Sequence, residues 1–398
     1  MDSNPDLSSI YEFLGISNHK TLNILIEDKK EELGISSDRQ LSTMLGIKID
    51  TLNRILSGEN QKVDLISIIK ISSFLELNIE DTVKVYISSL KPDAVAEIEE
   101  TRKANFIVKN FDLDGLKKIG FIKTKTDFKY IEKRILDFFD IKSIFDYNDY
   151  VAYPLFSKSK RSGNDLMNTF WIKSAYSQLE KINNPNDFNY DDFKKLITKI
   201  RPYTRLESVG FQTVVRALYV VGVTVIVQKD VSKTAVKGAT FIVNGKPCII
   251  ITDYYNRYDM VWFTLFHEVC HILYDLDELE ANKYHLSGES DLLLLNEDRA
   301  NMFAREMLFS EEKLNYISSS INTPSLVSMY AEEHSIHPSI IYGFYLHSLT
   351  KDEKNRQYKY YRKYLIGSEI ALRPMKTNVW TAEDPKAEIK QIIEKIST

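Results

Sequence analysis

Two histidines four residues apart, His267 and His271, are the side chains in this sequence best suited to metal chemistry. On an α-helix this spacing places both imidazole rings on one face, where they can bind the same cation. Glu268 follows the first histidine, so the pattern is the HExxH pentapeptide, in which the glutamate acts as general base. The alternative interpretation is that two solvated histidines lie on an amphipathic helix.

The residues around this motif favour a metal site. A zinc site needs a third protein ligand, and its open fourth position holds the water that the metal acidifies. The next predicted helix offers Glu297, with Asn301 one turn later on the same face. We predict that Glu297 is the third ligand and that Asn301 orients a ligand histidine by a hydrogen bond. Apolar residues flank the motif and predict a buried helix: Phe263, Phe266, Val269, Ile272 and Leu273.

The two motifs together resemble the signature of the ImmA/IrrE family of metallopeptidases, FT-x-x-HE-x-x-H followed by E-x-x-A-N-x-F-A. Phe263 and Thr264 precede the first motif here. The resemblance is strongest over residues 238–308. Cys270 stands where the family commonly has glycine, and residues 307–310 lack its usual proline. The second motif is matched by Glu297, Ala300, Asn301, Phe303 and Ala304.

This resemblance implies a gluzincin-like, zinc-dependent endopeptidase that binds Zn2+ through His267, His271 and Glu297. It also implies a regulatory role, in which a repressor, antitoxin or partner protein is cleaved in a stress, mobile-element or toxin–antitoxin setting. The rival hypothesis is a DNA-binding transcriptional repressor or antitoxin whose metal site is structural or sensory. Glu268 favours the enzyme, because a purely structural site needs no base.

Residues 38–58 resemble the helix-turn-helix of the XRE/Cro class of repressors. In that class the amino-terminal residues of the second helix read bases in the major groove. The corresponding positions here are Lys48, Asp50, Thr51 and Arg54. Acidic residues outnumber basic ones in residues 1–92, so a dimerisation or protein-docking role is the alternative to DNA binding. The predicted core of this motif is Leu41, Leu45, Ile47, Leu52 and Ile55, with Gly46 at the tight turn.

Composition limits the class of protein. The net charge of -4 gives no global attraction to nucleic acid, so any DNA contact must come from a local patch. Two cysteines cannot build a disulfide framework and fit a reducing compartment. The first residues have no secretory pattern, and the longest apolar stretch, residues 217–227, is too short to cross a bilayer. We therefore expect a soluble, cytoplasmic protein without a membrane partner.

Four segments are expected along the chain. These are a helix-turn-helix domain at 1–92, a helical linker or middle region at 93–210, a metallopeptidase core at 211–350, and a basic, tyrosine-rich tail at 351–398. The expected partners are a protein or peptide substrate, operator DNA at the first domain, and a second copy of the chain in a homodimer. The fold class is α+β, with a short sheet behind the two zinc-bearing helices.

The core of this fold is predicted from its hydrophobic pattern. β-Branched runs predict strands at 223–227, 240–243 and 248–252, and Asn244-Gly245 predicts a hairpin between the last two. In the zinc peptidases that this core resembles, a strand at the sheet edge beside the cleft pairs with an extended substrate, and we expect a strand of this hairpin to do the same. The substrate would be a flexible segment of another protein or the chain's own linker around 91–103. Helices are predicted at 258–274, 296–307 and 325–347.

Three further features have two interpretations each. Cys270 is either a redox-sensitive thiol near the metal or a small residue that fills a helix contact. His334 and His337 either stabilise an oxyanion or, for His337-Pro338, merely open a helix. The tyrosines and lysines of residues 354–364 either bind single-stranded nucleic acid or form a helix with packed tyrosines.

Overall fold

The computed structural model of the chain describes residues 8–16, 20–59, 62–150, 163–231, 236–282, 284–287 and 294–397. The chain divides into two compact units, Met1–Lys109 and Asn110–Thr398. It is mostly helical with one small mixed sheet, which is the expected α+β composition. Residues 1–7, on which the expectation about a secretory segment rests, lie outside the described residues.

The first unit is built from helices, and those between residues 22 and 88 share an apolar core. Side chains cap several of these helices: Ser37 accepts from the backbone N–H of Gln40, and Asp64 accepts from that of Ser67. Residues 91–103, expected as a connecting helix or linker, lie almost wholly within the last helix. The helices are α1 Ser8–Phe13, α2 Leu22–Glu32, α3 Asp38–Leu45, α4 Ile49–Leu56, α5 Leu65–Leu75, α6 Ile79–Ser88 and α7 Pro92–Asn110.

The pair α3 and α4 is joined by a short turn at Gly46. This glycine has φ 58° and ψ 40°, a left-handed conformation that side chains disfavour, and it ends α3. Lys70 donates to its carbonyl oxygen over 3.0 Å. The predicted core residues are all buried, in one cluster with residues of α2 and α5: Leu41, Leu45, Ile47, Leu52 and Ile55.

The second unit contains the remaining helices. Short 3-10 helices lie at Ile144–Tyr147, Arg201–Arg205 and Arg362–Tyr364. The α-helices are α8 Leu113–Ile119, α9 Phe128–Phe139, α10 Gly163–Ile182, α11 Tyr190–Ile197, α12 Gly210–Val220, α13 Tyr258–Tyr274, α14 Leu276–Asn282, α15 Leu294–Leu308, α16 Glu311–Ser318, α17 Pro324–Glu333, α18 Pro338–Ser348, α19 Lys351–Tyr361, α20 Glu369–Leu372 and α21 Pro385–Ser397. None of the helices in the described ranges is long and apolar enough to span a lipid bilayer.

A four-stranded sheet lies in the second unit, in the order β1-β3-β2-β4. β3 pairs in parallel with β1, and β2 pairs antiparallel with both β3 and β4. The predicted hairpin turn is confirmed, since Asn244 and Gly245 both have positive φ, at 52° and 74°. The strands are β1 Thr224–Val227, β2 Gly238–Val243, β3 Lys246–Ile251 and β4 Tyr284–Ser287.

The prediction that a strand of the β2–β3 hairpin forms the sheet edge is wrong. Both strands are internal, because β1 pairs with β3 and β4 pairs with β2. Among the described strands, β1 and β4 form the edges. The sequence did not predict β4, because its four residues, YHLS, contain no β-branched residue and the run is too short for a clear strand pattern.

The single helix predicted at 325–347 is in fact two, α17 and α18. The chain turns at Ser335, where φ is 53°, and α18 begins with Pro338. His337 caps α18, because its Nδ1 accepts the backbone N–H of Ser339 over 3.1 Å. Proline at the first position and a polar cap start a new helix.

The tail beyond residue 350 is part of the second unit and not a separate segment. Helix α21 packs against α12 and α10. Gln212 and Arg216 of α12 both donate to the backbone carbonyl of Lys395. The apolar side of α21 is buried through Ile389, Ile392 and Ile396. The middle region, the sheet and the tail therefore share one folded unit.

The buried core of the first unit leads to a stability prediction. Leu52 of α4 is fully buried, so Leu52→Ala should lower the free energy of unfolding by about 2–5 kcal/mol. The neighbouring Asn53 is exposed, so Asn53→Ala should change it by less than about 0.5 kcal/mol. Urea unfolding of the full chain, followed by circular dichroism, compares the two variants. Equal midpoints would show that Leu52 does not contribute to a packed core.

Candidate metal centre

Helix α13 carries the two histidines and packs against β2, β3 and α15. Large apolar side chains surround it, and the helix is buried along most of its length. His267 and His271 are 4% and 1% exposed, and Glu268 is fully buried. Three polar side chains with lone pairs thus lie in surroundings with little water, which is costly unless hydrogen bonds or a cation compensate.

Glu297 of α15 completes a triangle of potential ligand atoms with the two histidines. The Nε2 atoms of His267 and His271 lie 3.3 Å apart. Oε1 of Glu297 lies 3.6 Å from Nε2 of His267 and 3.4 Å from Nε2 of His271. The packing of α13 against α15 therefore brings together the three residues predicted as ligands.

The dimensions of this triangle suit a small divalent cation. In a tetrahedron, ligand atoms 3.3–3.6 Å apart correspond to metal bonds of about 2.0–2.2 Å, which is the range of zinc bonds to nitrogen and carboxylate oxygen. Two imidazoles and one carboxylate also suit other first-row divalent cations. Three donors leave a fourth tetrahedral position for water or substrate.

Hydrogen bonds to the opposite ring nitrogen orient both histidines. Nδ1 of His267 lies 3.1 Å from Oδ1 of Asn301, one turn after Glu297 on α15. Nδ1 of His271 lies 2.8 Å from Oδ2 of Asp275, and Arg299 donates to the other oxygen of Asp275. Because Nδ1 of each ring donates, a histidine that is neutral at either position has its Nε2 lone pair available to the triangle.

Sequence reasoning missed Asp275 and Arg299. Asp275 lies four residues after His271, so the helical spacing that identified the histidine pair could also have identified this carboxylate. Arg299 gives no comparable signal, because its contact with Asp275 depends on the packing of α13 against α15.

The pKa of His271 reflects these acidic partners. Burial alone would lower the pKa, but hydrogen bonds to Asp275 and Glu297 and the nearby charge of Glu268 raise it to about 9. Without a metal, His271 is therefore protonated at neutral pH. The proton supplies positive charge at the place where a cation would bind, so proton and cation compete.

Glu268 contacts strand β2 of the sheet. Its Oε2 accepts a hydrogen bond of 2.8 Å from the hydroxyl of Thr240 on β2. Gly238, at the start of β2, lies so close that a Cβ there would be 2.5 Å from Oε1 of Glu268. Thr240 therefore holds the carboxylate by a hydrogen bond, and Gly238 leaves the space that it occupies. Its charge is among the causes that raise the pKa of His271.

A cleft of about 760 Å³ opens at the triangle. His267, Glu297 and Asn301 line it, together with Phe263 and Thr264 of α13. Its lining also includes three basic residues from separate elements: Lys237, Arg305 and His347.

His334 and His337, the histidines considered as electrophiles, are not among the residues that line this cleft. His334 packs on Tyr330, and His337 contacts Glu207 and caps α18.

Cys270 and most of the tyrosines discussed in residues 354–364 are packed against other side chains. Cys270 is fully buried, and burial raises the pKa of its thiol to about 11, so the thiol is neutral at physiological pH. Tyr361 is buried and donates to Asn322, and Tyr364 stacks on Tyr342 with ring centroids 4.4 Å apart. Tyr360 is 70% exposed. Residues 354–364 therefore combine packed and solvated tyrosines.

The residues predicted to contact DNA lie at the amino-terminal end of α4. Lys48 is the residue before the helix, and Asp50, Thr51 and Arg54 follow within two turns. Lys48, Asp50 and Arg54 are exposed, whereas Thr51 is half-buried. This end of α4 presents a mixed-charge surface to solvent.

Comparison of the chain with family models, with curated proteins and with solved structures found no match.

The contact between Asp275 and His271 leads to a prediction about metal affinity. Asp275→Asn removes the charge that orients and polarises the His271 ring, so zinc affinity should fall by about 10–100-fold. Asp277→Asn is the matched control, because Asp277 is exposed two residues away. Competition with a chromophoric chelator measures both variants. Equal affinities would show that Asp275 does not support the site.

The raised pKa of His271 predicts that metal binding depends on pH. Because the metal-free ring is protonated up to about pH 9, zinc must displace a proton below that pH. The apparent affinity should therefore rise about tenfold per pH unit from 6.5 to 8.5. Chelator competition across this range tests it. An affinity that stays constant over this range would contradict a protonated His271 in the metal-free site.

Proposed function

We propose that this chain is a zinc-dependent endopeptidase with a regulatory role. The observation that carries the proposal is the triangle of His267, His271 and Glu297, with ligand atoms 3.3–3.6 Å apart, beside the buried carboxylate of Glu268. A structural site needs neither an adjacent base nor a cleft. Here Glu268 adjoins His267 on the same helix, and His267 and Glu297 line a cleft of about 760 Å³.

Each residue of the site has a defined role in peptide hydrolysis. A divalent cation held by the triangle supplies Lewis acidity toward a carbonyl and lowers the pKa of water. Glu268 accepts the proton of the attacking water and passes it to the leaving amine nitrogen. Thr240 holds the Glu268 carboxylate during both transfers. Asn301 and Asp275 keep the histidine rings in the tautomer that directs Nε2 into the site.

The substrate of this proposal is an extended segment of another protein, such as a repressor or antitoxin. Among the described strands, β4 has an open edge and pairs with β2, the strand that contacts Glu268. An extended peptide can add there through main-chain hydrogen bonds. Cleavage of the chain's own residues 91–103 is disfavoured, because they lie almost wholly in α7 and Val95 is fully buried. A separate partner is the better substrate.

A second function, DNA binding by the first unit, is favoured by the exposed end of α4. Gly46 sets the turn between α3 and α4, and the side chains of Lys48 and Arg54 are exposed. Arg54 can reach a base edge or a phosphate from a helix placed in the major groove. A regulator that binds operator DNA, with a metal site that serves structure or sensing, remains the rival to the peptidase.

The peptidase proposal predicts that metal binding and catalysis can be separated. Purified protein should hold about one zinc per chain, and His271→Ala should lose it. Glu268→Gln should keep the zinc but lose cleavage of a partner protein encoded beside it. Elemental analysis and gel electrophoresis measure the two properties. Unchanged metal content in His271→Ala would refute the site, and cleavage by Glu268→Gln would refute the base.

The DNA-binding proposal predicts that Arg54→Ala weakens binding to the promoter of the chain's own operon. Loss of one base contact should reduce affinity by about 1–3 kcal/mol. Arg39→Ala, an exposed change in α3, is the comparison. Gel retardation with labelled promoter DNA compares the three proteins. Identical retardation of wild type and Arg54→Ala would favour a docking role for the first unit.

A further inference from the structure

Three basic side chains meet in the cleft from different parts of the second unit. Lys237 precedes β2, Arg305 lies near the end of α15, and His347 lies near the end of α18. Arg305 and His347 are joined, with NH2 of Arg305 3.1 Å from Nδ1 of His347. The peptidase chemistry described above uses none of these residues.

The contact between Arg305 and His347 fixes the state of the imidazole. A guanidinium has only donors, so Arg305 donates and Nδ1 of His347 accepts. The ring proton of the neutral histidine is then on Nε2, which can donate. Desolvation of the ring, followed by the positive charges of Arg305, Lys354, Arg257 and Lys237, lowers the pKa of His347. The neutral form with Nε2–H therefore predominates at neutral pH.

Arg305 itself keeps unused donors. A guanidinium carries five N–H groups, and the bond to His347 uses one of them. Among the described residues, no carboxylate lies within ion-pair distance of Arg305. An arginine that is half-buried in a cleft without an anionic partner is suited to bind an anion supplied by a ligand.

The acidic residues of the cleft do not neutralise this group. Asp298, Glu306 and Glu311 line the cleft as well, but all three are exposed. Solvent and salt therefore screen their charges from Arg305. A ligand carboxylate that displaced water from Arg305 and His347 would interact at hydrogen-bond distance and would be screened far less.

The spacing along α15 relates this group to the metal site. Glu297, Asn301 and Arg305 follow each other at four-residue intervals, so they lie along one face, and all three line the cleft. Arg305 is eight residues, or about 12 Å of helix, beyond the metal ligand Glu297. An extended peptide covers that distance in about four residues. A peptide cut at the metal site can thus reach Arg305 with a residue near the scissile bond.

We propose that Arg305 and His347, with Lys237 beside them, form a subsite that binds a carboxylate of the peptide substrate a few residues from the scissile bond. This rests on the proposed peptidase function. The carboxylate comes from an aspartate or glutamate side chain or from the peptide's own carboxyl terminus. Its two oxygens accept from the Arg305 guanidinium and from Nε2 of His347.

The test measures peptide binding without turnover. Zinc-loaded Glu268→Gln protein is titrated into dansyl-labelled, alanine-based octapeptides in which a single Glu is moved through each position. Each peptide has a Gln counterpart and is prepared with a free and an amidated carboxyl terminus, and anisotropy reports the affinity. We expect one of two results. Either Glu binds roughly tenfold or more tightly than Gln at one position of the peptide, or every peptide with a free carboxyl terminus binds that much more tightly than its amidated form. The first result identifies a side-chain carboxylate, and the second identifies the terminal one.

Variants then assign the preference to the subsite. Arg305→Gln should abolish the preference while affinity for the Gln-containing, amidated peptide stays within about twofold, because a neutral peptide has no carboxylate for Arg305 to bind. Arg305→Lys should retain part of the preference, since the charge remains without the planar fork. Arg373→Gln is the matched control for net charge, because Arg373 is 80% exposed and does not line the cleft. It should keep the preference in full.

The outcomes separate this inference from the proposed function. A preference that survives Arg305→Gln in the Glu268→Gln protein, or no preference for any carboxylate in the Glu268→Gln protein itself, overturns the subsite. Cleavage of the octapeptides without a preference would leave the peptidase proposal intact and reject the subsite. A preference lost in Arg305→Gln, with no cleavage of any octapeptide or partner protein by the wild type, would support the subsite and reject the peptidase.

Discussion

Three ligand atoms with lone pairs meet within 3.6 Å of one another where α13 packs against α15. Such a convergence in a poorly hydrated place is unfavourable unless positive charge lies among the atoms. A cation meets this need, and in its absence the proton on His271 does so, which is why the pKa of that ring is raised to about 9. The helices and the sheet around the site hold these atoms together whether a cation is bound or His271 is protonated.

The supporting residues balance charge as well as position. One carboxylate oxygen of Asp275 contacts the His271 ring, and the other contacts Arg299. Both oxygens of this buried carboxylate therefore have a partner. Asn301 holds His267 without adding charge. Glu268 lies against β2, where Thr240 supplies a donor and Gly238 leaves room for the carboxylate. The sheet thus positions the proposed base, while the two helices position the proposed ligands.

The parts predictable from sequence were those set by local periodicity. His267 and His271, and Glu297 and Asn301, follow helical spacing, and α13 has the predicted bounds of residues 258–274. The buried positions of residues 38–58 also follow from a periodic pattern. Arg299, His347 and β4 were missed because their roles depend on which elements meet in space. The break at Ser335 was missed because a positive φ at serine has no strong sequence signal.

The support of α13 from the end of the chain has a consequence for biosynthesis. The first turn of α13 is tied to residue 366, since the backbone N–H of Tyr258 donates to the carbonyl of Ile366. The last helix, α21, covers α12, which itself packs against β1. Chains fold progressively from the amino terminus as they leave the ribosome. The proposed metal ligands emerge before these supports, so the second unit cannot complete its packing until residues 385–397 have been synthesised. A nascent chain therefore carries all the proposed metal ligands before the cleft beside them is finished, and products truncated before α21 lack the packing that completes it.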